Sequence, residues 1–286
     1  MSIQTIITKA QQLLLIVIVF CASVAACSQT ISGERIIAAD FTKLKGPYAK
    51  VIQYSVGAGR GGEGLRANWQ QQLALVEKDI RFHGLLHDDT LNVRKKTEHL
   101  VNSKSYWTFT DIFEEAGPPA KSFYGGFGLL ILQDIKKPTY YAFQFMNELG
   151  PTDLINRDGN LWVCKDAKGN VQALFCNYKL LSPDSLYNQQ FYNKIIPPDN
   201  AVSATLSFSN IPDGRYKMQV YQTGHEKNDA FMAYKKMDAP FNINRQQEAA
   251  VKKVAAGQPS TKNHYKGTLC AAVCPERERC VFCQVA

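Results

Sequence analysis

The chain has no basic stripe, no internal repeat and no apolar run long enough to cross a bilayer, and each absence removes a class of function. Its 33 lysines and arginines outnumber 25 acids and give a net charge of +8. They are scattered among acids rather than gathered in a stripe with interleaved aromatics, so nucleic acid is not expected as a partner. The charge reads as solvated surface, favoured by anionic lipid headgroups. The N-terminal apolar run from Leu13 to Phe20 continues through small residues to Cys27. It falls short of the roughly 20 residues a spanning helix needs, follows a lone Lys9, and is expected to be an export signal. A disulfide framework is not expected either. Of eight cysteines, Cys21 and Cys27 belong to the signal and Cys270, Cys274, Cys280 and Cys283 cluster at the end, which leaves only Cys164 and Cys176 in the expected core.

What is present is ordinary for packed protein: 45% hydrophobic and 11% aromatic residues, in a length that holds one or two domains. Val24-Ala25-Ala26-Cys27 has the form of a bacterial lipobox, which makes Cys27 the acylated mature N-terminus at residue 27. Ordinary signal cleavage near the same place is the alternative. The terminal cysteines contain one C-x-x-C, but the C-x3-C half and the short spacing between the halves depart from zinc knuckles. Residues 268–286 are therefore expected to be a disordered tail without metal.

Hydrophobic periodicity divides the rest. Val51 to Val56 is β-rich, Leu65 to Asp79 has helical spacing (Leu65, Trp69, Leu73, Val76), and Ile80 to Leu86 is β-rich again. Asp88 to Lys104 is polar and charged. Ser105 to Phe109 and Gly128 to Leu132 read as strands, and Pro138 to Leu149 as a helix ended by Gly150. After Pro151 the texture changes to strands with turn signals: Leu161 to Lys165, the turn Lys168-Gly169-Asn170, Val171 to Tyr178, Ala201 to Ser209, and Arg215 to Tyr221. That pattern predicts a β-sandwich, with short helices around Ala230 to Met237 and Gln246 to Val254.

Gly57-Ala58-Gly59-Arg60-Gly61-Gly62 satisfies G-x-G-x-x-G between a strand and a helix, the pattern of a dinucleotide site. Glu63 would set a carboxylate beside the pyrophosphate, Gly64 delays the helix N-terminus, and no further βα repeats complete a doubly wound sheet. No cofactor is expected. The longer stretch Ser55-Val-Gly-Ala-Gly-Arg-Gly-Gly-Glu-Gly-Leu-Arg-Ala-Asn-Trp69, running on to Arg81-Phe-His83-Gly-Leu-Leu-His87-Asp-Asp89, resembles the first strand, first helix and second strand of the family 39 glycoside hydrolases, the β-xylosidase type. Ser105-Tyr-Trp107-Thr-Phe-Thr-Asp111-Ile-Phe-Glu114-Glu115-Ala-Gly117, Phe123-Tyr-Gly-Gly-Phe-Gly128 and Ile135-Lys-Lys-Pro138-Thr-Tyr-Tyr141-Ala-Phe143 resemble its last strand and helix. Gly224-His225-Glu-Lys-Asn228-Asp-Ala230-Phe is more loosely similar to a loop of the family's accessory β-sandwich.

The resemblance implies an α/β plus β fold: residues 40–150 as a remnant of a (β/α)8 barrel that keeps strands 1, 2 and 8, and residues 151–267 as a β-sandwich. It implies a xyloside or related glycoside as ligand. His83 and His87 supply donors and acceptors, Asp111, Glu114 and Glu115 supply carboxylates for hydroxyls, and Trp107, Phe113 and Phe123 supply flat faces. By the family's pattern His83, Trp107 and one of the glutamates line the xylose subsite. Read from the residues alone, Trp107 and Phe109 could equally be core and Glu114-Glu115 a solvated loop.

A retaining glycosidase also needs an acid/base and a nucleophile, two carboxylates about 5 to 5.5 Å apart. In the family these follow the fourth and seventh strands, and the span from Asp89 to Ser105 cannot hold five strands. Asn147-Glu148 has the acid's dipeptide but falls on the final helix, and Thr97-Glu98 looks like the nucleophile's dipeptide in a segment that is no buried strand. No catalytic residue is expected. The chain is expected to be an inactive relative, with a carbohydrate-binding or interaction remnant at the cell envelope as the alternative, and its open sheet edges invite self-association.

Overall fold

The computed structural model describes residues 35–48, 55–59, 64–82, 85–87, 105–106, 109–112, 121–126, 128–156, 158, 161–177, 204–212, 214–265, 269–273 and 279–286. Ile36–Ala286 form one compact unit. Among the described residues no helix is long and apolar enough to cross a membrane; the N-terminal apolar run and Cys27 lie outside them.

Three strands form a small parallel sheet: β3 (Ser55–Gly59) lies in the middle, between β4 (Leu85–His87) and β5 (Ser105–Tyr106). Between β3 and β4 runs helix α1 (Ala67–Ile80), which buries Trp69, Gln72, Val76 and Ile80, a spacing that keeps one stripe inward. It stops at Arg81, whose left-handed φ of 57° turns its N–H back to the Glu77 carbonyl at 2.9 Å. The strand expected over Gly128 to Leu132 is reduced to isolated bridges, Thr110 with Leu130 and Leu130 with Lys136. The segment folds back on itself too tightly to extend a ladder: the Ile131 N–H donates to the Ile135 carbonyl at 3.1 Å.

Helix α2 (Pro138–Glu148) begins with proline at its first turn, where the missing N–H costs nothing. It is covered on two sides. Tyr140 joins Trp69, Val76, Ile80, Phe109, Leu129 and Leu130 in one apolar cluster, while Tyr141, Phe145 and Leu149 join Cys164, Leu174 and Phe282 in another.

The second of these clusters lies on a seven-stranded sheet with the order β11-β10-β13-β8-β7-β6-β2. Its strands are β2 (Leu44–Pro47), β6 (Thr152–Leu154), β7 (Leu161–Lys165), β8 (Val171–Asn177), β10 (Arg215–Gly224), β11 (Ser260–Tyr265) and β13 (Arg279–Val285). A further three-stranded sheet has β9 (Ala204–Ser209) between β1 (Arg35–Asp40) and β12 (Leu269–Val273). The two sheets share one core, in which Ile37, Leu206 and Phe208 meet Val163, Phe175, Met218, Val281 and Cys283. The β7–β8 hairpin turns where expected, with the Asp166 carboxylate accepting from the backbone N–H groups of Lys168 and Asn170 and Gly169 at φ +85°. Helices α3 (Ala230–Lys235) and α4 (Arg245–Val254) follow β10; Asp229 caps the first, and Asn244 with Gln247 forms a capping box on the second.

Two expectations are corrected. The stretch expected to be a disordered tail carries β12 and β13: β13 pairs along its length with both β8 and β10, near the centre of the seven-stranded sheet, and Val281, Phe282 and Cys283 are fully buried. The strand is apolar on both faces because both are covered, which leaves no alternation to read. The sheets also recruit β1 and β2 from before residue 50, with β2 closing against β6. Cys176 is disulfide-bonded, which by itself makes no framework, and Cys164 and Cys283 are free thiols.

Candidate functional site

Parallel pairing sends β3, β4 and β5 out at the same end of their sheet, so His87, the last residue of β4, and the segment after Tyr106 emerge together. The structure describes only part of the set of residues expected to meet a glycoside. His83, Trp107, Phe113, Glu114 and Glu115 lie outside the described residues, and of His87 only the strand position is described. Asp111 and Phe123 are fully placed.

Asp111 is 1% exposed, and its partners come from its own chain. The Gly128 N–H donates to Oδ1 at 2.7 Å, and the Lys137 ammonium lies 2.8 Å from Oδ1 and 2.7 Å from Oδ2. The same ammonium donates to the Gly126 carbonyl at 2.8 Å, and the Tyr124 hydroxyl donates to the Asp111 carbonyl at 3.2 Å. Burial pushes the Asp111 carboxyl up and the Lys137 ammonium down from their ordinary values, while each charge holds the other ionised. Burial, followed by the Asp111 charge, pushes the Tyr124 hydroxyl up to about 12.

The glycines here are required by space. A Cβ on Gly126 would stand 2.5 Å from Asp111 Oδ1, and one on Gly128 would stand 2.2 Å from the Thr110 carbonyl carbon. Only bare backbone can wrap the carboxylate this closely.

A second polar group ties the same segment to α1. The Thr110 hydroxyl donates to Gln72 Oε1 at 2.5 Å and accepts from the Ile112 N–H at 2.9 Å, while Gln72 Nε2 donates to the Ile131 carbonyl and to Asp134, each at 2.8 Å. Gln72 is fully buried, so these bonds offset its desolvation. Asp79, near the end of α1, accepts from Lys136 at 2.6 Å and from the Tyr140 hydroxyl at 2.7 Å. Burial would raise its carboxyl, but these two bonds and the Lys136 charge outweigh that and hold it below its ordinary value. Its contribution to stability is therefore present at neutral pH and is lost as pH falls through that lowered value. Asn147-Glu148 sits at the end of α2, where the Asn147 amide donates to the Asp79 carbonyl at 3.0 Å.

Phe123 is 7% exposed and packs between Phe231, with ring centroids 6.0 Å apart, and Tyr234, at 4.7 Å. Asp111 and Phe123 are thus both buried and already partnered within the fold, Asp111 by Gly128 and Lys137 and Phe123 by Phe231 and Tyr234. Sequence reasoning missed Gln72, Thr110 and Lys137, since a lone Gln on a helix and a Lys before Pro138 carry no pattern. The dense glycines 125, 126 and 128 were the one visible signal. A cavity of about 810 Å³ opens elsewhere, along β1 and β9, and among the described residues its lining, including Ile36, Asp40, Lys43, Asn156 and Ser207, offers no aromatic face.

Comparison with known proteins gives consistent matches. Residues 91–263 match the model of the glycosyl hydrolases family 39, a stretch that starts just after β4. A β-xylosidase of Geobacillus stearothermophilus is 33% identical over 180 residues, covering 61% of this chain and 32% of that protein. The chain thus spans about a third of that relative's length. Among solved structures, the GH39 enzyme from Xanthomonas axonopodis pv. citri superposes with a TM-score of 0.61 at 27% identity, over 69% of this chain and 39% of that one. A monomeric β-xylosidase from Caulobacter crescentus CB15 superposes with a TM-score of 0.78 at 13% identity, over 88% of this chain and 99% of that one, a likeness of fold.

Truncating Asp111 to Ala strands the Lys137 ammonium against the Gly126 carbonyl with no counter-charge. The expected loss in urea unfolding is about 3–5 kcal/mol, whereas Asp111→Asn with Lys137→Met loses much less. A loss under about 1 kcal/mol for Asp111→Ala would show that the pair does not organise this segment.

Proposed function

The chain belongs to the glycosyl hydrolases family 39, and from that premise we propose that it is a catalytically disabled relative of the β-xylosidase type that retains a glycoside-binding surface. In this reading β3, β4 and β5 are strands one, two and eight of a (β/α)8 barrel, and the two antiparallel sheets are its accessory β-sandwich. One observation carries it: β4 and β5 lie in parallel on the two sides of β3, as barrel neighbours in the order eight, one, two would, yet only residues 88–104 separate them in sequence. A single βαβ unit takes about 30 residues, so five further strands have no room.

The carboxylate pair of a retaining glycosidase belongs to those absent strands. Binding needs less. By their chemistry His83, His87, Trp107, Glu114 and Glu115 offer donors, acceptors and a stacking face for a sugar. Asp111 is a positioning residue here, because its carboxylate is buried and already bonded to Gly128 and Lys137. The unclosed sheet leaves the outer sides of β4 and β5 as strand edges among the described residues, which favours self-association. We place the protein at the bacterial cell envelope, held by acyl chains on Cys27. An unmodified mature N-terminus by mass spectrometry, or a Cys27→Ser chain that stays membrane-bound, contradicts that anchor.

The purified chain is expected to bind xylose, seen as a saturable change in tryptophan fluorescence, and to hydrolyse an aryl β-xyloside at least about a thousandfold more slowly than an intact glycosidase. Robust hydrolysis that disappears in Glu98→Gln or Glu115→Gln would mean that a surviving carboxylate is catalytic, and would overturn the proposal.

A further inference from the structure

We infer that Cys176 and Cys280 form a disulfide across β8 and β13, a covalent lock on the C-terminal strand that closes only when the chain meets an oxidant. Cys176 is disulfide-bonded. Strand register places Cys280 directly opposite it, at the end of an unbroken ladder that runs from Arg279 with Asn177 to Val285 with Val171. Cα atoms facing each other across antiparallel strands are about 4.5–5.5 Å apart, inside the range a disulfide spans.

The other placed cysteines are too far along or across the sheets. Cys283 is opposite Ala173, three residues from the level of Cys176, or about 10 Å along the strand. Cys164 is opposite Gln172, four residues or about 13 Å from that level. Cys270 faces Ser207 in the other sheet, about 10 Å away through the core. A disulfide does not bridge Cα atoms more than about 7 Å apart. Alternation agrees: positions 176 and 280 fall on the same face as Leu174 and Phe282, the face that α2 covers, while Phe175 and Cys283 belong to the core between the sheets.

Closing the bond removes two electrons and two protons from the thiols. One thiolate attacks the disulfide of the oxidant and expels a thiol, and the second thiolate then displaces the remaining oxidant sulfur, leaving the oxidant as a dithiol. A thiol–disulfide oxidoreductase of an export compartment is that oxidant in the cell, and oxidised glutathione serves in the tube. The lock ties the chain end to a strand more than a hundred residues earlier, a long loop of the kind whose closure most restricts the unfolded chain. It also makes completion of the largest sheet depend on an oxidising compartment. This inference stands apart from the sugar-binding proposal and can fail without it.

The test uses the full chain purified from a bacterial periplasm, alkylated without reduction and digested with trypsin. The expected product is Gly169–Lys179 linked to Cys280–Ala286, still present in Cys283→Ser and absent in Cys280→Ser, with Tm falling by about 10 °C on reduction of the wild-type chain. Full alkylation of Cys176 in the denatured, unreduced wild-type chain would overturn the inference. So would a crosslink that survives Cys280→Ser and vanishes in Cys283→Ser.

Discussion

Phe145 of α2 lies nearly flat on Phe282 of β13, with ring centroids 5.3 Å apart and planes 9° from parallel, and this stack joins the two halves of the fold. Tyr221 packs against both rings at 6.0 Å, and Leu174 and Leu149 close the same cluster. On its other side α2 reaches the first helix through Tyr140, whose ring is fully buried and whose hydroxyl bonds to Asp79. A parallel sheet of three short strands cannot bury enough apolar surface to stand by itself. The helix that follows β3, α1, is tied through α2 to a sheet that is covered on both faces.

Polar contacts then set the geometry that apolar packing leaves loose. Hydrophobic contact is non-directional, so it can gather the segments around residues 110 and 130 without deciding how the chain leaves them. Gln72, Thr110, Asp111 and Lys137 decide it, because a buried donor or acceptor is costly unless its partner stands in one place. The buried pair gains little net stability over an apolar replacement, and its value lies in direction.

Several elements were legible from the residues alone. Trp69, Leu73 and Val76 announced α1 through their spacing, Pro138 and Gly150 bracketed α2, and Lys168-Gly169-Asn170 marked the hairpin between β7 and β8. The order of the small parallel sheet came from the family resemblance, not from periodicity. What escaped was long-range. β13 has no polar face to alternate with, and its cysteines drew attention to metal chemistry instead of to a central strand. β1 and β2 stand next to the N-terminal region in sequence, and only the tertiary fold shows that they complete sheets formed far downstream. Asp111 was legible as important. That its carboxylate would face Gly128 and Lys137 depends on a loop closing 17 residues later, which no local pattern encodes.

Among the described residues the fold is asymmetric: one sheet is covered on both faces, and one small parallel sheet has open edges. Amide hydrogen exchange on the intact chain measures this asymmetry directly, since protection follows the free energy of local opening. The prediction is that amides of Val171–Asn177 and Arg279–Val285 exchange slowest and that those of Ser55–Gly59 and Leu85–His87 exchange at least about a hundredfold faster. Equal or greater protection in the parallel strands would mean that their sheet is closed and self-supporting, and would contradict the reading of this chain as a barrel remnant carried by its sandwich.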